Sequence, residues 1–167
     1  MATDEFTDAI ALLKADHRKV EDLFAKFESA KGQRKQQLAT QICNELTIHM
    51  MLEEEIFYPT VEREIEEDDV AEAYVEHDGC KVLMRDILSQ EQAEDDYYDA
   101  KVKVLQEEVE HHVKEEEAPS KGIFAQTRQT DIDLVAMRDQ MLARKQELMR
   151  QAEDGVLPPP TMHAVEG

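Results

Sequence analysis

The chain predicts an all-α fold: an up-down-up-down four-helix bundle with an additional C-terminal helix. Three observations lead there. Four segments repeat apolar residues in alternating steps of three and four, the pattern of a helix that buries one face. The 167 residues include only five glycines and five prolines, and no stretch shows the sustained period of two that a strand needs. The connections between the four segments are short, which places consecutive helices antiparallel.

The first helix is expected over residues 3–31, with Phe6, Ile10, Leu13, His17, Val20, Phe24 and Phe27 on its buried face and Gly32 ending it. The second, over 34–66, buries Leu38, Ile42, Leu46, His49, Glu53 and Ile56, and Pro59 should bend its later part. The third, over 69–92, carries Val70, Tyr74, His77, Lys81 or Cys80, Met84 and Ile87. Asp95 or Asp96 can cap the fourth helix, which buries Tyr98, Val102, Leu105, Val109, His112 and Glu116 and stops near Ala118-Pro119. A loop through Gly122 leads to a fifth helix over 130–152, with Leu134, Met137, Met141 and Leu148 on one side and Arg144 and Lys145 in its later half. Asp154-Gly155 and Pro158-Pro159-Pro160 cannot continue it, so the end is either a mobile tail or an extended strap. The expected division is a bundle over 1–125, a helix packed on or beside it over 126–152, and a proline-rich tail over 153–167.

Composition narrows the function classes. A chain with 41% apolar residues suits one domain with a substantial core. The formal net charge of −20 argues against nucleic acid and against anionic membrane surfaces, because phosphate binding needs clustered lysine and arginine. The first 15 residues are acidic where a secretory leader would be basic, and no apolar run approaches the roughly 20 residues that span a bilayer. The expectation is a soluble, cytoplasmic protein. Cys43 and Cys80 fall inside helices rather than in a spaced framework, which suits a reducing compartment and small core side chains. Cys80, one turn from His77, is alternatively a redox-sensitive neighbour.

Four histidines, His17, His49, His77 and His112, take positions that the helical pattern reserves for apolar residues, and His49-Glu53 and His112-Glu116 form His-x-x-x-Glu pairs. His111 and Glu115 offer the same spacing, but the helical neighbours of His111 are Val104 and Glu108, whereas those of His112 are Leu105 and Val109. Periodicity therefore assigns His112 and Glu116 to the core and His111 and Glu115 to the flank. His17 precedes its pair by 32 residues and His77 precedes its pair by 35, so each helical hairpin offers one lone histidine and one histidine-glutamate pair. An unpartnered buried polar group costs roughly 1–3 kcal/mol and a buried carboxylate more, against a total domain stability of about 5–15 kcal/mol. Six such groups need a partner, and cations bound by imidazole nitrogen and carboxylate oxygen supply it.

That donor set suits iron, zinc or manganese, and no paired-cysteine motif suggests a structural zinc finger. Two metals use all six groups, with Glu53 and Glu116 as bridges, His17 and His49 on one side and His77 and His112 on the other. Tyr58 and Tyr74 lie near these positions and read as core packing, as hydrogen-bond donors to the ligand residues, or as redox-active groups. Met50, Met51 and Met84 read as core fill, and His163, in the tail, as solvent-exposed.

The segments Asp16-His17-Arg18-Lys19-Val20, His49-Met50-Met51-Leu52-Glu53-Glu54-Glu55-Ile56-Phe57-Tyr58-Pro59, Glu76-His77 and His111-His112-Val113-Lys114-Glu115-Glu116 resemble the bacterial hemerythrin-like proteins, the HHE cation-binding family. The resemblance covers about residues 6–117, and residues 131–145 are similar to a C-terminal helix of some stand-alone members. It implies a non-haem di-iron centre in an up-down-up-down bundle, with His17, His49, Glu53, His77, His112 and Glu116 as ligands of two irons joined by an oxo or hydroxo bridge. Oxygen-carrying members have a second histidine one turn after the third-helix ligand, where this chain has Lys81. The resemblance further implies binding or sensing of a small ligand such as dioxygen (O2), nitric oxide (NO) or peroxide (H2O2). The alternative is a di-iron enzyme with peroxidase, catalase-like or ferroxidase activity, which the open position at Lys81 favours. Where a phenylalanine-proline end usually follows the last glutamates, Ala118-Pro119-Ser120 intervenes, and Ile123 or Phe124 is expected to supply that packing.

Overall fold

A computed structural model describes residues 5–89 and 96–166. Helix α1, Ala9–Ser29, begins where the Asp8 carboxylate accepts the Ala11 N–H at 2.9 Å. The chain from Glu5 to Asp8 is bent rather than helical, and the expected start at Thr3 lies outside the described residues. Gly32, at φ 58°, supplies the left-handed turn into α2, Gln33–Leu52.

The long second helix departs from expectation. After Leu52 the chain makes a π-helical turn, Glu53–Phe57, then a short α3, Tyr58–Val61. Helix is over by Val61 rather than at Glu66, which is extended and precedes α4. Pro59 has no N–H to return to the carbonyl four residues earlier, and the Tyr58 N–H reaches five residues back to the Glu53 carbonyl. The extra residue in this turn lets the consecutive side chains of Phe57 and Tyr58 both point inward, each fully buried.

Helix α4, Glu67–Leu88, starts two residues before the expected Asp69 and ends at its C-cap, Ser89, in a turn; residues 90–92 of the expected extension through Gln92 lie outside the described residues. Helix α5, Tyr98–Glu116, has Tyr97 at its cap position and no side-chain cap. Asp96 therefore does not cap it, and Asp95 lies outside the described residues. A short helix, α6 or Ile123–Thr127, follows Gly122 where the sequence predicts only a loop. A Cβ on Gly122 would lie 2.5 Å from the Glu116 carbonyl oxygen, so only glycine lets the chain fold back this closely onto the end of α5. Helix α7, Leu134–Glu153, is capped by Asp133, whose carboxylate accepts the Ala136 N–H at 2.9 Å. It packs on α1 and α2, burying Met137, Met141 and Leu148.

Two apolar clusters fill the bundle. One takes Ile10 and Leu13 of α1, Leu52, Val70 and Tyr74 of α4, and Phe57, Tyr58, Phe124 and the α7 face. The other takes Val20 to Phe27, Leu38 to Met50, Cys80 to Ile87 and Tyr98 to Val113. Chain direction follows from the order in which each helix meets them: α1 and α4 run from the first cluster to the second, α2 runs back again, and α5 runs from the second cluster toward α6, whose Ile123 and Phe124 belong to the first. The up-down-up-down bundle is thus all-helical, and one buried polar layer, containing His17, His49, Glu53, His77, His112 and Glu116, separates the two clusters.

Candidate metal centre

Each helix of the bundle brings its histidine to the same level, and the six expected residues meet in that layer. The imidazoles form two facing pairs. His17 Nε2 lies 3.1 Å from His49 Nε2, and His77 Nε2 lies 3.2 Å from His112 Nε2. The carboxylates join the pairs crosswise. Glu53 Oε1 stands 2.9 Å from His49 Nε2 and 3.3 Å from His77 Nε2, while Glu116 places Oε1 3.4 Å from His17 Nε2 and Oε2 3.4 Å from His112 Nε2. Each glutamate therefore touches one imidazole from each pair.

A second ring of carboxylates sets the outer nitrogens. The Nδ1 atoms of His17, His77 and His112 lie 2.8 Å from Glu117, Glu54 and Glu76, and that of His49 lies 3.0 Å from Asp16. With each Nδ1–H donating to its carboxylate, every Nε2 is turned toward the centre, the nitrogen that metal-binding histidines of this orientation offer to the ion. Sequence reasoning assigns no roles to these four. Their signal is adjacency: Asp16 precedes His17, Glu76 precedes His77, and Glu54 and Glu117 follow Glu53 and Glu116. Each is a helical neighbour of one inward group while its side chain reaches a histidine on another helix.

The layer carries strong opposing fields. Burial disfavours the charged imidazole of His49, yet Glu53 and Asp16 outweigh it and raise its pKa to about 10. Burial acts likewise on His17 and His112, and their glutamate neighbours again win, moving both upward. Burial pushes the Glu116 carboxyl up, but His112 and His17 bring it well below the usual range. Glu53, raised by burial and by Glu116, is lowered on balance by His49 and His77. Both oxygens of Glu53 and Oε1 of Glu116 are nevertheless buried without a hydrogen-bond partner. Unpartnered carboxylate oxygens grouped with inward-facing imidazole Nε2 atoms form a donor set that cations of intermediate softness fit. His17, His49 and Glu116 can offer donor atoms to one cation, and Glu53, His77 and His112 to another.

Tyr58 is the hydrogen-bond donor that its position allowed: its hydroxyl donates to Glu116 Oε2 at 2.6 Å. Burial first, and the neighbouring Glu116 and Glu53 charges second, hold its pKa well above the usual phenol value, so the proton stays on Oη. Tyr74 does not reach the layer. It packs edge-on against the Tyr58 ring at 5.2 Å and stacks on His163 at 3.8 Å. His163 is exposed and takes no part in the layer. Phe124 supplies the packing expected after the last glutamates, its ring stacked 5.8 Å from His17. His111 and Glu115 sit on the outside, 61% and 48% exposed, as the helical pattern indicated. Lys81 is buried but turns its ammonium away from the imidazoles, toward Glu54, Asp78 and the Thr161 carbonyl.

Cys80, not Lys81, faces the layer from this turn of α4. Together with Val20, Leu46, Met50, Val109 and Val113, it lines a cavity of about 20 Å³ beside the four histidines, enough for roughly one water-sized molecule. Burial drives its thiol pKa far up, as it drives that of Cys43 up to about 12, which disfavours the thiolate at both.

A four-helix bundle with buried histidine pairs joined by two glutamates defines a cation-binding helical protein. The sequence pattern of the hemerythrin HHE cation binding domain matches residues 8–119, most of the chain, and the chain belongs to that family. A crystal structure of a hemerythrin HHE cation binding domain-containing protein from Mycobacterium kansasii superposes with a TM-score of 0.71, covering 90% of this chain and 95% of the other, at 19% identity. That likeness is one of fold. A DNA nickase from Nostoc sp. is 32% identical over 108 residues, which are 64% of this chain and 30% of the nickase. This chain thus spans under a third of that relative's length. The family and the histidine-glutamate clusters fit a metal-binding protein. Among the described residues, no helix is long and apolar enough to cross a membrane.

Proposed function

We propose that the chain holds two non-haem iron ions in the central layer and binds or senses a small ligand such as dioxygen, nitric oxide or peroxide. The ligands are His17, His49, Glu53, His77, His112 and Glu116. The observation that carries this reading is the crosswise geometry, in which Glu53 and Glu116 each span the two histidine pairs. Bound iron would supply redox-active centres with coordination positions left for an exogenous ligand.

The chain's own residues set the conditions for that ligand. The valines, Leu46 and Met50 around the 20 Å³ cavity keep bulk water from the inner face and leave space for a molecule of one or two heavy atoms. Tyr58 Oη keeps its proton and orients Glu116 through Oε2, and Phe124 fixes the His17 ring. The net charge of −20 disfavours a polyanionic partner, which keeps nucleic acid and anionic membranes outside this reading.

A second reading is a di-iron enzyme that consumes peroxide or oxidises ferrous iron. Lys81 favours it, since it offers no imidazole where oxygen carriers have a further ligand. Metal analysis with the electronic spectrum of protein purified in air tests the centre: near two irons per chain supports it, and metal-free protein of undiminished stability refutes it. Anaerobic reduction followed by dioxygen and then peroxide separates the uses. A reversible spectral change without turnover supports binding or sensing, and sustained peroxide loss abolished by His49→Ala supports an enzyme.

A further inference from the structure

We propose that the C-terminal helix α7 and the strap after it are part of the metal centre: they hold the outer carboxylates behind His49 and His77, with Lys145 and Lys81 as positioning residues. The inference rests on the metal-centre reading above. All four histidines lean on a carboxylate, but the four carboxylates are held differently. Glu117 is held by Arg18, and Glu76 by His111 at 3.3 Å; both of these partners are largely exposed. Asp16 and Glu54 are held by the well-covered ammonium groups of Lys145 and Lys81.

Lys145, on α7, donates to Asp16 Oδ1 while Asp16 Oδ2 faces His49 Nδ1 at 3.0 Å. Arg144 beside it ties α7 to the π-helical turn through Glu55, at 2.8 and 3.1 Å. On the other side, Lys81 Nζ reaches both oxygens of Glu54, at 2.9 and 2.8 Å, and Glu54 Oε2 faces His77 Nδ1 at 2.8 Å.

The strap fixes Lys81. Its ammonium donates to the Thr161 carbonyl at 2.8 Å, and Arg85 donates to the Pro160 carbonyl at 2.6 Å. The Asp78 carboxylate accepts the N–H groups of His163, Ala164 and Val165, at 3.0, 2.6 and 2.7 Å, and also lies 3.2 Å from Lys81. The flexible stem of a lysine could swing the charge to solvent. A carbonyl and two carboxylates on three sides hold it on Glu54 instead. Both anchors come from beyond residue 119, where the match to the family ends.

Cobalt(II) is the probe, since it takes the same donors and gives shifted proton resonances for imidazole N–H groups near the ion. The full chain is expected to bind two Co²⁺ and to show four such exchangeable resonances, one per histidine. A chain ending at Leu157 moves the His77 resonance, Lys145→Gln moves the His49 resonance, and each holds cobalt about tenfold more weakly against a competing chelator. Lys145→Arg restores resonance and affinity. Should the shortened chain not fold, Asp78→Asn loosens the strap with the chain complete and is expected to move the His77 resonance. Lys19→Gln, which breaks only the pair with Glu45, leaves all four in place. The inference is overturned if the full chain binds two Co²⁺ and the strap and Lys145 variants match it in both resonances and affinity. If the full chain binds none, the metal-centre reading fails and this inference with it.

Discussion

Metal uptake should expel two protons per chain. With all four Nδ1–H groups donating outward to carboxylates, the Nε2 atoms of His17 and His49 meet at 3.1 Å and those of His77 and His112 at 3.2 Å. Two lone pairs at that distance repel and two N–H groups collide, so each contact holds one proton. His49, whose pKa is raised to about 10, and His112, raised well above the usual imidazole value, belong one to each pair and keep these protons on the metal-free protein at neutral pH. A cation that takes both nitrogens of a pair displaces its proton. The overall constant for two ions then rises about a hundredfold per pH unit between about pH 6 and 8, or about 2.7 kcal/mol. Calorimetric titration of metal-free protein with ferrous iron, in buffers of different ionisation enthalpy, measures the number directly. A slope near two supports the geometry; a slope near zero means that the nitrogens do not share protons and that the inner tautomers are assigned wrongly.

Further outcomes follow from single contacts. Tyr58→Phe removes the hydrogen bond to the buried Glu116 carboxylate; chelator competition should show metal held roughly tenfold more weakly, and thermal unfolding of the metal-free protein a loss of about 1–3 kcal/mol. Gly122→Ala forces a Cβ to within 2.7 Å of backbone atoms of Glu116 and Ala118; thermal unfolding should show a loss of about 1–3 kcal/mol. Asp78, raised by burial but brought down to about 2 by three backbone N–H groups and Lys81, stabilises the strap fully above the ordinary aspartate value of 3.8. That contribution is lost as pH falls through about 2, so amide hydrogen exchange at His163, Ala164 and Val165 should accelerate across that window while Asp78→Ala shows fast exchange at every pH.

The fold was legible because burial writes a period into each helix. Ile10, Leu13 and Val20 around His17, or Leu105 and Val109 before His112, fix which side faces inward without knowledge of any neighbour. The same rule separated His112 from the adjacent His111. It failed at residues 53–61, where the local period itself changes: a π-helical turn and Pro59 end the helix early, and no amphipathic pattern announces an inserted residue. It also missed α6, whose five residues are too few to repeat.

The sequence by itself determined the helical class, the buried faces and the place on them of the four histidines, Glu53 and Glu116, because those properties depend only on spacing along one helix. Only the tertiary structure decided what those side chains meet. The crosswise reach of Glu53 and Glu116 depends on the relative height of four helices, and the pairing of each Nδ1 with a carboxylate depends on side chains from different turns converging. The role of Lys81 shows the difference most plainly. Sequence places it where an oxygen carrier has a ligand, but Glu54, Asp78 and a carbonyl 80 residues downstream draw its charge outward. A buried ammonium goes where it is best solvated, and that place is set by the packed strap.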